Sequence, residues 1–587
     1  MFKLLKFLKP YYLQLIALVF LVFGTVAATM QLPEYMAKII NDGIINSDTG
    51  LIAKNGFLMF LIAFGGAIST IGVGFVAARI ATAFSRDVRN KVFSRVESFS
   101  LVEFNKFSTA SLITRSTNDI QQIQMVMALL LRMVLQAPVA GIWAIYKAYH
   151  LASSLSWTIA LAVAVLLGVI FVMFMVAVPK FKILQKLVDR LNLVARENLT
   201  GLRVIRAFNG EKTEQAKFEK ANVDLTAANL FVNRLMVVMQ PAMMLILNLT
   251  SVLIVWVGAR YINTGGLDIG NMIAFMQYAM QVIMSFLMIS MVFIMLPRAA
   301  VSAVRVNDVI ETEPLIKDPV EPVVANDLRG GVVEFKDVTF CYDGADTPVI
   351  RNISFKTCPG ETTAIIGSTG SGKSTLINLI SRFYDINSGQ ILLNGVDVRD
   401  YRLEDLYAKI GYVPQKAVLF SGTVESNLKF GAPDASDVEI KKSSQVSQAE
   451  EFIEKLEGKF NAPIAQGGAN ISGGQKQKLS IARAIVKNPE IYIFDDSFSA
   501  LDFKTDSMLR NALKLETEKK TVLVVAQRIS TIMSAEKIIV LNEGRIVGEG
   551  THSELLKNCD VYREIAYSQL SEAELEHYQV GVERKSV

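Results

Sequence analysis

Six stretches of this chain are long and apolar enough to cross a bilayer, and the rest of the fold must be arranged around them. Crossing the hydrocarbon takes about 20 predominantly apolar residues in a helix. Such windows lie at Tyr12–Met30, Phe57–Ile80, Met125–Tyr146, Thr158–Val178, Leu230–Ile262 and Ile269–Leu296. From about residue 310 onward no such window survives, and the pattern becomes that of a soluble α/β domain. A mean hydropathy of +0.36 over 587 residues is the signature of this segregation.

Lysine and arginine placement orients the spans. Arg86, Arg89, Lys91, Arg95, Lys106 and Arg115 crowd one connection, and the stretch from Lys180 to Arg234 is equally basic. The alternate connections, 41–54, 148–156 and 263–266, carry almost no basic residues. Both termini are therefore expected in the cytoplasm. The start, MFKLLKFLKP, spaces Lys3, Lys6 and Lys9 three apart among apolar residues. That pattern fits a short helix on the membrane surface or simply a positive flank for the first span. No small-residue cleavage site follows a short apolar core, so a cleaved signal peptide is not expected. The cytoplasmic flanks account for the net charge of +5, which makes no case for nucleic acid. The three cysteines, Cys341, Cys358 and Cys559, lack metal-ligand spacing and read as small core residues.

The two basic connections are long and keep helical periodicity, so the spans should continue past the bilayer. Some 20 extra residues project roughly 30 Å. Their turns are expected near Ser108–Thr114 and Val204–Lys212. Residues 1–310 then form a membrane domain, and a linker with Pro314, Pro319 and Pro322 occupies 311–330. A nucleotide-binding domain follows over 331–568, and a polar tail over 569–587.

Gly367-Ser368-Thr369-Gly370-Ser371-Gly372-Lys373-Ser374 matches the P-loop at every fixed position, after an apolar run and before a helical segment, and Thr375 next to it is expected among the ATP contacts. Glycines let the backbone curl so that its N–H groups face phosphate. Lys373 would neutralise the β and γ phosphates of ATP, and Ser374 would reach Mg²⁺. Ile491–Asp495 reads as a buried strand whose closing aspartate, Asp495, supplies the second Mg²⁺ contact.

Between these two motifs lies Ile471-Ser472-Gly473-Gly474-Gln475, which resembles the signature of ABC transporters. The resemblance implies that Ser472, Gly473, Gly474 and Gln475 close on ATP bound to an opposing domain. It further implies that Tyr342 stacks on adenine, that Gln415 senses Mg²⁺ and contacts the membrane domain, and that Asp502 belongs to the D-loop across the dimer. The segment from Gln415 to Ile471 would be the helical subdomain. The implied fold is an α-helical membrane domain of six transmembrane helices plus an α/β P-loop ABC ATPase domain, an exporter-type half-transporter. The expected location is a bacterial cell membrane.

Ile471 is a mild departure from the leucine usual in the family and keeps every phosphate-contacting residue, whereas two positions in the ATP site depart more sharply. Asp496 stands where a hydrolysing ABC ATPase carries glutamate, and Gln527 stands where it carries the switch histidine. Positioned base catalysis contributes about 10² to 10⁴ in rate, and a misplacement near 1 Å can cost about 10². Asp496 retracts the carboxylate by one methylene. Gln527 cannot become a cation as histidine can. The chain's own site should bind ATP and cleave it poorly, so the expected partner is a second, non-identical half-transporter that carries the glutamate and histidine.

In the sixth span Met276, Met280, Met284, Met288, Met291 and Met295 recur at helical spacing beside Gln277. Flexible thioethers suit varied apolar ligands, although ordinary packing explains any single methionine. Small hydrophobic cargo is expected, with lipid or peptide export, or a nucleotide-regulated gate or sensor, as the alternatives.

Overall fold

The computed structural model describes residues 2–323 and 330–570. Residues 324–329 of the expected linker and 571–587 of the expected tail, including His577, lie outside the described residues. The chain divides into two compact units, one of Met1–Glu97 with Thr109–Thr312 and one of Ser98–Ser108 with Glu313–Val587.

In the first unit the helices are α1 (Tyr12–Lys38), α2 (Thr49–Glu97), α4 (Thr109–Thr114), α5 (Ile120–Leu151), α6 (Ser156–Thr200), α7 (Leu202–Ala207), α8 (Glu211–Asn263) and α9 (Ile269–Glu311); α3 (Leu101–Phe107) belongs to the second. Among the described residues six helical runs are long and apolar enough to cross a membrane. Each of the six apolar windows falls inside α1, α2, α5, α6, α8 or α9. With 49 residues, α2 is about 70 Å long at 1.5 Å per residue, more than twice the hydrocarbon thickness. Small residues let the spans approach closely. Ala137, Ala140, Gly141, Ala144 and Ala148 of α5 are buried, and a Cβ on Gly141 would come within 3.2 Å of the Ser285 Cβ of α9. Where α4 gives way to α5, Arg115–Asp119 forms a π-helical turn, and Asp119 accepts from Ser302 Oγ at 2.9 Å and pairs with Arg305 at 3.3 Å.

The first basic connection breaks earlier than its periodicity suggests. After α2 the chain turns at Ser98–Ser100, runs through α3, and breaks again at Ser108. Ser100 starts α3 with a capping box, its N–H and hydroxyl donating to Glu103 Oε2 at 2.8 and 2.7 Å. The other oxygen of the buried Glu103 accepts from the Leu315 N–H at 3.2 Å, so the start of the linker is fastened to α3 inside the second unit. The second basic connection holds α7 and then turns at Phe208–Gly210.

Among the described residues the second unit is built on two large sheets, with a two-stranded pair of Gly422–Thr423 and Pro463–Ile464 beside them. Six strands lie in the spatial order Arg545–Gly550, Lys537–Asn542, Thr362–Gly367, Thr521–Val525, Ile491–Asp495, Ile410–Val413, parallel except for the first pair. Ile491–Asp495 and Thr521–Val525 are buried at every position, as strands covered on both faces must be. An antiparallel sheet, ordered Ile350–Thr357, Val333–Phe340, Ser388–Leu393, Val396–Asp397, shares an apolar core with one face of the first. A separate core of Leu419, Val424, Leu428, Ile440, Ile453 and Leu479 holds the helical subdomain together.

Candidate functional site

The site lies at the carboxyl ends of the parallel strands, where open α/β sheets bind ligands. Thr362–Gly367 runs between two parallel neighbours and ends in the P-loop, which feeds the helix Lys373–Ile380. Gly370 and Gly372 have φ of +83° and +98°, a region side chains rarely enter. A Cβ on Gly372 would stand 2.7 Å from Ile350 Cδ1. The tight curl leaves Ser371 Oγ buried without a protein hydrogen-bond partner. Lys373 Nζ donates to the carbonyls of Gly367 and Ser368 at 2.8 and 2.7 Å. A cradle of N–H groups with an unpaired buried hydroxyl and an ammonium at its rim fits a polyphosphate.

Ser374 Oγ donates to Asp495 Oδ1 at 3.0 Å, so the two oxygens expected around Mg²⁺ already adjoin. Burial pushes the carboxyl of Asp495 above its usual range, against the Ser374 hydrogen bond, and the neighbouring Asp496 charge adds to the rise. Burial likewise raises Asp496, opposed chiefly by its hydrogen bond from Gln415. Lys373 is lowered by burial against the pull of both aspartates. A divalent cation and phosphate charge would relieve all three.

Asp496 takes φ +47°, in the left-handed region that aspartate enters more readily than most residues. Its Oδ2 accepts from Gln527 Nε2 at 2.8 Å and from Gln415 Nε2 at 3.1 Å. The three residues that sequence reading drew from three separate motifs thus meet on one oxygen. Tyr342 packs edge-on against Phe340 and Tyr384, and its hydroxyl lies 2.9 Å from Thr375 Oγ1, beside the P-loop helix.

The signature and D-loop are organised separately. Ser472 caps the helix Gly473–Val486, its Oγ accepting from the Gln475 N–H at 3.3 Å while Gln475 Oε1 accepts from the Ser472 N–H at 2.9 Å. Ser472 and Gly473 are exposed, and a Cβ on Gly473 would meet nothing within 4 Å. Asp502 caps the helix Phe503–Glu516 by accepting from the Thr505 N–H at 2.9 Å, and that bond holds its carboxyl below the usual range. In α9, Met280 and Met284 are exposed and Met276, Gln277 and Met288 half-buried, whereas Phe275, Tyr278, Val282 and Ile283 are buried. The side chains of Met291 and Phe293 lie outside those described.

Two further residues touch this machinery, Ser499, which opens the D-loop motif ending at Asp502, and Gln569, which sequence reading placed in the polar tail. Ser499 Oγ donates to the Asp496 carbonyl at 2.8 Å. Gln569 reaches the backbone of the Gln527 loop, a partner 42 positions away that no local pattern reveals.

Two family models match the chain, ABC transporter transmembrane region over residues 15–286 and ABC transporter over residues 350–499. An uncharacterized ABC transporter ATP-binding protein of Mycobacterium tuberculosis is 39% identical across 96% of this chain and 97% of its own. YfiB, an uncharacterized ABC transporter ATP-binding protein of Bacillus subtilis, is 36% identical across 97% and 98%. The ATP-dependent lipid A-core flippase of Aromatoleum aromaticum is 30% identical across 94% of each. The structure of a bacterial Atm1-family ABC exporter with ATP bound matches with a TM-score of 0.80 at 25% identity, over 95% of this chain and 98% of that one. With its six apolar spans and its P-loop ATPase domain on one polypeptide, the chain belongs to the ABC transporter family as an exporter-type half-transporter.

Proposed function

We propose that this chain is the degenerate half of a heterodimeric ABC exporter that extrudes small hydrophobic compounds. The observation that carries the reading is the capture of Asp496 Oδ2 by two amide donors, Gln415 and Gln527. A carboxylate that already accepts two hydrogen bonds on one oxygen, and is one methylene shorter than glutamate, is a weak and misplaced base for an attacking water. Lys373 and the P-loop N–H groups hold the phosphates, Tyr342 stacks on adenine, and Ser374 with Asp495 holds Mg²⁺, which neutralises phosphate charge when bound. Gly367 to Thr375 supply binding without fast cleavage.

The signature Ser472–Gln475 and Asp502 complete the site of a non-identical partner that carries glutamate and the switch histidine. Closure of the two ATPase domains drives the membrane helices from inward to outward access, and cleavage at the partner's site resets them. Both termini are cytoplasmic in a bacterial cell membrane. The membrane domain is 1–310 less the segment 98–108, which groups with the second unit, and it is followed by the linker 311–330, the nucleotide-binding domain 331–568 and the tail 569–587. Met276, Gln277, Met280, Met284 and Met288 form the cargo-facing stripe, a role supported by the exposure of Met280 and Met284 on a helix whose opposite face is buried.

Lipid export is the second reading, favoured by the lipid A-core flippase relative. ATP hydrolysis by this chain alone, and by the chain co-expressed with a candidate second half-transporter, tests the first. Little activity alone and drug-stimulated activity in the pair is expected; robust activity alone would overturn the asymmetry. Lipid-stimulated but drug-insensitive turnover in the pair would select the second reading. Inverted vesicles separate both from a gate, because a pump accumulates dye uphill and a gate only dissipates gradients.

A further inference from the structure

Gln569 stands two residues beyond the helix Asp560–Tyr567, in a closing turn held by hydrogen bonds from the N–H groups of Ser568, Gln569 and Leu570 to Glu564 and Ala566. Its side-chain amide spans the backbone on both sides of Arg528. Oε1 accepts from the Ile529 N–H at 2.8 Å, and Nε2 donates to the Gln527 carbonyl at 2.8 Å. One amide group thereby pairs with the loop as a strand residue would, a donor and an acceptor side by side. Glutamate would lose the donor, and asparagine would fall one methylene short.

Both ends of this clamp are rooted. Tyr562 and Ala566 of the helix and Ile529 of the loop are fully buried in one apolar cluster. From the clamped loop the Gln527 side chain reaches Asp496 Oδ2, and Asp496 also accepts from Gln415. A continuous set of hydrogen bonds therefore runs from the end of the helix Asp560–Tyr567 to the Asp496 carboxylate.

We propose that Gln569 is a positioning residue of the ATP site, fixing the backbone from which Gln527 addresses Asp496 and the nucleotide. The inference rests on the reading of Gln527 as the residue at the switch position, and it makes the helix Asp560–Tyr567 part of the apparatus around the ATP site. It does not depend on a heterodimer.

The test is Gln569→Leu, which keeps the side-chain bulk and removes both hydrogen bonds, in the full chain reconstituted in lipid. Amide exchange at Ile529 should rise roughly fivefold, the scale of one lost backbone hydrogen bond, with the melting temperature nearly unchanged. The slow residual ATP turnover of the chain alone, which takes place at this site, should fall severalfold in kcat with KM for ATP unchanged. Gln527→Ala combined with Gln569→Leu should be no slower than Gln527→Ala alone, since the clamp acts only through that side chain. Unchanged exchange at Ile529 would overturn the clamp, and additive losses in the double variant would reduce it to a structural cap. Exchange needs no turnover, so this result stands apart from the asymmetry, which fails separately if Asp496→Asn abolishes transport-coupled hydrolysis.

Discussion

The ATPase unit presents two faces to nucleotide chemistry, and they are held together in different ways. On the Walker face the side chains bond to one another across the fold, Ser374 to Asp495 and Gln415 and Gln527 to Asp496, over sequence separations of 121, 81 and 31. On the signature face the caps are local, Ser472 with Gln475 and Asp502 with Thr505, each three residues apart. A face built from local caps presents its exposed N–H groups whatever happens elsewhere. A face built from long-range contacts is altered by a change at any of its members, and the two departures at catalytic positions, Asp496 and Gln527, fall there.

The largest effect that could break this contrast comes from the signature. Gly473→Asp adds a carboxylate where the structure has open space, so folding is untouched. Placed against the γ-phosphate of an opposing site, it should lower turnover of the assembled transporter at least about 100-fold, as loss of preorganised electrostatic stabilisation does. Asp496→Asn should change the same rate less than about twofold. Equal losses in the two variants would mean that both sites hydrolyse, and the contrast would be gone.

Restoring the Walker face should have the next largest effect. Asp496→Glu with Gln527→His in the chain alone is expected to raise ATP hydrolysis about 10- to 100-fold, within the range of a positioned general base. Asp496→Glu by itself should do less, because the Gln527 amide still occupies the position at Asp496 Oδ2 and φ +47° suits aspartate better than glutamate. A double variant no faster than the parent would place the defect outside these two residues. Tyr342 offers a smaller test of binding alone. Tyr342→Ala should weaken ATP affinity roughly 5- to 100-fold, the scale of one base–aromatic stack. Tyr342→Phe, which loses only the Thr375 contact, should change it less than about threefold. Loss of affinity in the Phe variant equal to that in the Ala variant would make the hydroxyl, not the ring, the binding element.

The legible parts of the chain are those where physics acts locally. Each apolar window sits within a long helix because lipid leaves the backbone no partner but itself. The P-loop and both caps of the signature face follow from residues within a few positions of each other. The turn at Ser98–Ser100 was also within reach, since Ser100-Leu-Val-Glu103 is a capping box; the continuous helical period across the connection masks it. The association of 98–108 with the second unit is a different matter. It depends on Glu103 meeting Leu315, 212 residues away, and a boundary drawn at residue 310 puts this segment with the membrane helices by chain order alone. The convergence of Gln415 and Gln527 on one oxygen of Asp496 was likewise hidden, because it follows from the sheet order and from side-chain reach.

The smallest predicted effect probes what the Walker face costs when it binds nothing. Burial raises Asp495 above its usual range, and the Ser374 hydrogen bond and Lys373 only partly offset this. A carboxyl raised in the folded state binds its proton more tightly there than in the unfolded chain, so stability falls as pH rises from the unfolded value of about 3.9 through the folded one. The penalty is fully present once the pH exceeds the raised pKa. Asp495→Asn removes the charge and should raise the nucleotide-free melting temperature at pH 7, by a few degrees at most. The gap between variant and parent should close as pH is lowered through the raised pKa, where the parent's carboxyl is protonated too. Saturating Mg²⁺ and ATP should invert the order, because the ionised carboxylate then has a cation to hold while the amide does not. Melting curves at several pH values, with and without Mg²⁺ and ATP, read all three signs. A gap that persists unchanged at low pH would assign the gain to packing and not to charge. The Walker face would then be no less stable in isolation than the signature face, and only its long-range wiring would distinguish the two.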